Sequence, residues 1–432
     1  MNFEFSDEQK SLEKELTEYF SNLMTPQIRG SLDKEGEGGE TYRKVVRQMG
    51  MDGMLGIGWP VEFGGGGKSA LDQFILFDVI RRARAPFPFV TVNTVGPTLM
   101  RFGTKAQQEE FLPKILKGEV IFAIGYTESE AGTDLAQLRT RAIRDGDFYT
   151  VNGAKVFTSG ADMADYIWLA CRTDPNAPTH KGISILIVPT RSQGFKATII
   201  NTVGELTTCA TYYDDVRVPV ENLVGGENEG WKMITTQLNH ERVGLSAWGG
   251  LAHRLFDDLI AWAKSTPASG EVTWEGLGAG SGAGSGAGLG AGSGEGAIRG
   301  DTDLLHTSGD LKMIDLDWVQ IELGRAFAIL EAVKILNWKM ASNMSKGELG
   351  PADSSAVKVF GTEELVHAYH IMLGILGSHG YIRPGSTGAA LQGELERAAR
   401  GAQINTFGGG VNEVQREIVA WLGLKMARGA RR

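Results

Sequence analysis

The chain has 432 residues, 42% apolar and 22% charged, which exceeds one ordinary hydrophobic core and matches the composition of globular proteins. Its formal net charge of −9 leaves no basic surface for nucleic acid or anionic lipid, and no apolar run approaches membrane-spanning length. The polar start, MNFEFSDEQKSLEKEL, has no signal-peptide core, and only Cys171 and Cys209 are present, both in apolar or β-like contexts, so free thiols in a reducing cytoplasm are expected rather than a disulfide framework.

Residues 1–120 read as helical. SDEQKSLEKELTEYFSNL opens on a Ser6 cap and continues with apolar residues at helical spacing, and LDQFILFDVIRRA and QQEEFLPKIL repeat the pattern. Over 121–225 the texture changes to short β-branched runs such as YIWLACRT, GISILIVPT and ATYYDDVRVP. After GGENEGWKM helices return and fill 226–432. Helix, β, helix in this order predicts an α+β protein with a central β domain between two helical ones. One segment interrupts the last domain: from Gly276 to Gly296 glycine occupies every second position. A silk-like stack would also alternate small residues with glycine. Such a run cannot bury enough area to offset its chain entropy, so about 265–312 is expected to be a disordered insertion between two helices.

Several motifs fail on inspection. FGGGGKSA resembles a phosphate-binding loop, but Glu62 stands where the first glycine, five residues before Gly67, is required. No dinucleotide fingerprint appears, and in the Gly-alternating segment its odd spacing between glycines cannot occur. The seven histidines lack metal-ligand spacing, with His180 in a solvated loop, and no serine nucleophile elbow is present. Phosphoryl transfer, zinc hydrolysis and serine hydrolysis all lose support.

One acid stands out. In NEGWKMITTQLNHERVGLSAW the residues Trp231, Ile234, Leu238, Leu245 and Trp248 fall within about 100° of helical arc, and Glu241 lies inside that arc. Glu241 could simply pair with adjacent Arg242. Alternatively its apolar neighbours desolvate the carboxylate and raise its pKa toward neutral, which suits a general base.

IGYTESEAGTDLAQLRT (Ile124–Thr140) resembles the flavin-binding signature T-E-x-x-A-G-S-D of acyl-CoA dehydrogenases. VNGAKVFTSGADMADY resembles the second signature of that family and NEVQREIVA the C-terminal one, so the likeness spans nearly the whole chain apart from the Gly-rich segment. With YFSNLMTP, GIGWPVEFGG and QLNHERV, the chain looks most like actinobacterial steroid-CoA side-chain dehydrogenases, which assemble as α2β2 heterotetramers of two different subunits. The resemblance implies an N-terminal helical domain (1–120), a β domain (121–225) and a C-terminal four-helix bundle (226–432), with FAD between the latter two. It places Tyr126 and Thr127 at the flavin ring edge, Gly132 and Thr133 at the cofactor phosphates, and Phe157, Thr158 and Ser159 over the ring and near its N5. The implied reaction is α,β-dehydrogenation of a bulky, steroid-type acyl-CoA in β-oxidation, with electron-transferring flavoprotein as acceptor. A non-catalytic flavin-binding subunit and an oxygen-using acyl-CoA oxidase are the alternatives.

The usual base of this family belongs to a Tyr-Glu-Gly-Thr stretch before the C-terminal helix. Aligning NEVQR puts Gly409 of NTFGGGVNEVQR at that glutamate, so the customary acid is missing. A branch resembling isovaleryl-CoA dehydrogenase carries its glutamate on an earlier helix, at the position of Glu241. Glu241 is therefore expected to remove the α-proton, while the Gly409 backbone N–H still serves the thioester oxygen and Arg242 contacts substrate. The stretches that hold a neighbour's FAD in homotetramers are missing or altered. The Arg-x-x-Phe-Gly element would fall in the Gly-rich insertion, and Gly374 stands where Gln-x-x-Gly-Gly begins. A different subunit is expected to supply them.

Overall fold

The computed structural model describes residues 4–36, 38–205, 207–245, 249–268 and 311–427, with 238–245 and 351 described by their backbone alone. The N-terminal helices are α1 (Asp7–Leu23), α2 (Pro26–Glu35), α3 (Glu40–Met51) and α4 (Ala70–Ala83). A π-helical turn (Val90–Val95) then runs into α5 (Gly96–Phe102), followed by α6 (Lys105–Leu116). The expected Ser6 cap is present as a capping box with Gln9, and Ser69 with Asp72 and Thr104 with Gln107 start α4 and α6 in the same way.

Eight strands follow: β1 (Phe122–Gly125), β2 (Arg141–Asp145), β3 (Phe148–Lys155), β4 (Tyr166–Arg172), β5 (Ile183–Pro189), β6 (Phe195–Asn201), β7 (Thr207–Pro219) and β8 (Leu223–Val224). They form one sheet in the order β6-β7-β3-β2-β4-β5-β8, with β1 parallel beside β4. β4 and β5 are buried along nearly their whole length, which explains their unbroken apolar runs: both faces are covered. β6, at the edge, is mostly exposed. In β3 the register to β7 shifts between Val151 and Gly153, and a Cβ on Gly153 (φ +146°) would lie 2.6 Å from Thr140 Oγ1. Rings of Phe111, Phe122 and Tyr166 pack the helical layer onto the sheet in one continuous core.

The third region comprises α7 (Gly230–Leu245), α8 (Gly249–Ser265), α9 (Asp317–Ser345) and α10 (Pro351–Leu376); α8, α9 and α10 share a second core of residues such as Leu255, Leu259, Leu330 and Met372, whereas Met233 and Ile234 of α7 join the first. Two short helices, α11 (Glu394–Ala402) and α12 (Asn412–Ile418), close the chain. The Gly-rich stretch lies within residues 269–310, outside the described residues. Its expected margins are narrower than 265–312, because Ala268 N–H donates to Leu311 O (2.8 Å) and Met313 N–H to Thr266 O (2.9 Å). These backbone bonds join residues 266–268 to residues 311–313.

Ion pairs tie the regions together. Glu394 on α11 accepts from Arg84, after α4, and from Arg254 on α8, and Arg84 also meets Asp33 of α2 at 2.8 Å. Arg400 of α11 reaches Glu205 (2.8 Å) and the Val203 carbonyl, docking the β6–β7 turn on the bundle. Both cysteines are free and buried, and burial pushes the Cys171 thiol up to about 12. A thiol reagent is expected to label neither in the native protein and two per chain in denaturant; fast native labelling would contradict this burial.

Candidate active site

Directly after β1 the chain leaves the sheet, and a buried ion pair fixes how it does so. Lys155, the last residue of β3, is 1% exposed, and its Nζ donates to Glu128 Oε1 (2.8 Å) and to the Tyr126 carbonyl (3.0 Å). Glu128 also accepts the N–H groups of Thr140 (2.9 Å) and Arg139 (2.6 Å). Burial alone drives this carboxyl upward, but the Lys155 charge and these hydrogen bonds hold it below its ordinary value. The pair therefore clamps Tyr126–Thr133 against the segment leaving β3, and Val156 N–H completes the join by donating to Thr127 O (2.9 Å).

That second segment is strained. Phe157 has φ +58°, a costly backbone region for an aromatic residue, yet its side chain is 65% exposed. Thr158 N–H bonds Cys209 O (2.9 Å) and its hydroxyl lies 3.4 Å from Thr211 Oγ1, turned into the sheet. Ser159 is exposed and its hydroxyl reaches Thr208 Oγ1 (3.1 Å). Gly132 (φ +56°) and Thr133 lie exposed on the neighbouring turn, and Thr127 is half-buried. An exposed ring held in a strained conformation beside an exposed serine hydroxyl and a glycine turn fits a flat aromatic cofactor with a phosphate tail.

A polar chain crosses from here to α7. The Trp168 Nε1–H can only donate, so Tyr126 Oη accepts it (3.2 Å) and passes its own proton to Gln237 Oε1. This fixes the Gln237 amide and leaves its Nε2 buried without an acceptor among the described residues. Asn93 Nδ2 and Thr94 Oγ1, on the π-helical turn that packs against α7, are likewise buried and unpartnered. Such orphans, with a π-turn beside them, are polar groups that a ligand bound here would satisfy.

Glu241 lies one helical turn after Gln237 on the same face of α7, whose Ile234 is buried and Trp231 half-buried. The side chains of Glu241 and Arg242, like Leu238, Leu245 and all of Trp248, fall outside the described residues.

The glycine loop is seated on α10, which packs against α7. Gly409 and Gly410 have φ +67° and +99°. Lys358 of α10, almost fully buried, donates to Thr406 O (3.0 Å), Gly410 O (2.8 Å) and Asn412 Oδ1 (2.6 Å). Thus Tyr126, Thr127 and Phe157 are joined by one clamp, while Gly409 comes from a separate element.

Sequence reasoning missed Glu128, Lys155, Gln237, Lys358 and Asn412. A signal existed for Lys155: it occupies an inward position on a strand whose other inward residues, Tyr149 and Val151, are buried and apolar. For Lys358 the only hint was a cation in the otherwise apolar run AVKVF.

Comparison with known proteins bears on the chain as a whole. Models of the acyl-CoA dehydrogenase N-terminal, middle and C-terminal domains match residues 6–119, 123–216, and 228–275 with 304–422. Acyl-CoA dehydrogenase FadE26 of Mycobacterium tuberculosis is 44% identical over 100% of both chains. The Tcur3481–Tcur3483 steroid ACAD structure superposes with a TM-score of 0.86 at 48% identity, covering 99% of this chain and 100% of that one. The ChsE4–ChsE5 complex from M. tuberculosis gives 0.85 at 43% identity, with the same coverage. Family signatures, the α+β architecture and full-length similarity coincide, and this chain belongs to the acyl-CoA dehydrogenase family of oxidoreductases.

Proposed function

We propose that the chain is the catalytic subunit of a heteromeric, FAD-dependent acyl-CoA dehydrogenase acting on a bulky, steroid-type side-chain CoA thioester. The observation that carries the flavin assignment is the exposed Phe157 ring, locked at positive φ beside Thr127 and Ser159. Tyr126, Thr127, Gly132, Thr133, Phe157, Thr158 and Ser159 would hold the cofactor, with Thr158 contributing backbone because its hydroxyl faces the sheet. When bound, FAD supplies the acceptor for the hydride leaving Cβ.

The chain's own part is proton and charge management. Glu241 takes the Cα proton, and the electron pair released from that C–H bond moves toward the thioester oxygen. The Gly409 N–H stabilises that oxygen as its negative charge grows. Loss of hydride from Cβ then completes the Cα=Cβ bond. Arg242 is assigned to the CoA ester.

A different, acyl-CoA dehydrogenase-like partner subunit completes the assembly in α2β2 form. Support comes from the complex named for one relative and from apolar side chains left exposed on the bundle: Ile321, Phe327 and Ile335 on α9, Phe360 on α10, and Leu424 and Met426 after α12. Among the described residues no helix is long and apolar enough to cross a membrane. We assign the assembly to the cytoplasm, with electron-transferring flavoprotein as its acceptor.

Co-expression with a second dehydrogenase-like subunit, followed by flavin spectra and assays across CoA thioesters of graded bulk, tests this reading. Activity is expected to need both chains and to favour bulky thioesters. A flavin-free, inactive complex, or oxygen uptake that does not respond to electron-transferring flavoprotein, would sink it. Gly409→Leu is expected to lower kcat/KM for bulky thioesters about tenfold more than for small ones, since a side chain there fills the space three glycines leave. Equal losses on both would show that the loop does not set substrate width.

A further inference from the structure

Three consecutive glycines cannot hold their own shape. Each has wide conformational freedom to lose, and none has a side chain with which to anchor it. Yet the loop from Thr406 to Asn412 adopts one conformation in which, among the described residues, neither Gly409 nor Gly410 donates its N–H to a protein acceptor. The N–H groups of Phe407 and Gly408 fix its start by donating to Ile404 O (3.2 and 2.8 Å), and the side chain that grips both of its ends from outside is Lys358.

We infer that Lys358 is a positioning residue for the thioester-oxygen site, fixing the glycine loop so that its free N–H groups stay presented to the ligand. This rests on the assignment of Gly409 as donor to that oxygen. The Lys358 ammonium binds the carbonyls of Thr406 and Gly410, and a peptide unit is planar, so both peptide planes that bracket the three glycines are set. Its third bond, to Asn412 Oδ1, extends the grip to the start of α12. Asn412 is in turn held through Nδ2 by Thr362 Oγ1 (3.1 Å) and Glu363 Oε1 (2.9 Å), both on α10 one turn beyond Lys358. Arg416 closes the frame by meeting Glu363 at 2.6 Å. One 26-residue helix thereby grips, on both sides, a stretch of three residues that carry no side chains of their own. The same ammonium adds positive potential to the loop whose N–H groups are assigned to the thioester oxygen.

The test uses the flavin-loaded heteromeric enzyme and a 3-thiaacyl-CoA carrying 13C at its thioester carbonyl; the sulfur at the β-position prevents hydride loss. In the parent enzyme the infrared carbonyl stretch is expected to move to lower frequency on binding, and the bound ligand to lose its α-proton at a lowered pH. In Lys358→Met most of the carbonyl shift disappears, the pH of ionisation rises by about one to two units, and kcat on a turning-over thioester falls about 10- to 100-fold with KM little changed. Retained carbonyl shift, ionisation and kcat in a flavin-loaded Lys358→Met enzyme would overturn the inference. Should that variant not fold, Asn412→Ala removes one of the three acceptors and keeps the ammonium. It is expected to move both readouts part of the way, and no movement would overturn the inference equally. If the parent enzyme itself shows no carbonyl shift, the Gly409 assignment fails instead. Glu241→Gln separates the base: it abolishes ionisation of the ligand while leaving the carbonyl shift in place.

Discussion

Replacing Glu241 with glutamine is expected to lower kcat by about a thousandfold or more, with bound flavin and KM for the thioester nearly unchanged. Glutamine has the shape of glutamate but cannot take a proton, so the substitution removes chemistry and leaves volume. Two considerations single out this acid. By helical position it shares the face of α7 that carries buried Ile234, and Gln237, one turn earlier on that face, has a buried amide Nε2 without an acceptor among the described residues. The loop that would otherwise supply an acid carries Gly408, Gly409 and Gly410. Rapid-quench measurement of α-proton exchange into D2O is the decisive readout, because it isolates proton removal from hydride loss. Exchange at more than about a tenth of the parental rate would show that another group is the base.

The layers of the fold were legible because each follows a local rule. Ser6, Ser69 and Thr104 cap helices through short-range bonds that sequence spacing encodes, and the unbroken runs of β4 and β5 announce strands covered on both faces. The loops proposed to meet ligand were legible only through family resemblance, since TESEAGTD read as chemistry alone is an ordinary polar turn. What stayed hidden were long-range polar contacts. Lys155 finds Glu128 across 27 positions and Lys358 finds Asn412 across 54, and neither spacing has a periodic signature. The Tyr126–Gln237 bond spans 111 positions and depends on how α7 is laid against the sheet. The strain at Phe157 was equally invisible. On either side of its positive φ, Val156 is tethered to Thr127, just after β1, and Thr158 to Cys209 of β7.

Lys155→Met is expected to destabilise the β domain by about 3–5 kcal/mol and to strip the flavin, because it strands Glu128 as an unpaired buried charge. It also frees the Tyr126 carbonyl and with it the turn that runs to Thr133. Acid titration provides a sharper signature than the loss itself. In the parent protein Glu128 sits below its ordinary value of 4.5, so between the two values the unfolded chain binds more protons than the folded one. Its contribution is therefore complete above pH 4.5 and is lost as pH falls through the lowered folded value. Without Lys155, burial dominates and raises the carboxyl, which reverses the sign: the folded state then binds the extra proton, and stability declines as pH rises above 4.5. Chemical denaturation followed from pH 4 to 8 distinguishes the two directions. The double variant Lys155→Met with Glu128→Leu removes both charges, and it is expected to recover much of the stability while losing the pH dependence, but to leave Tyr126 and Thr127 unclamped and flavin binding weak. Stability recovered without flavin would assign the ion pair its role in this fold, which is to fix the geometry of the loop; flavin binding recovered along with stability would reduce it to packing.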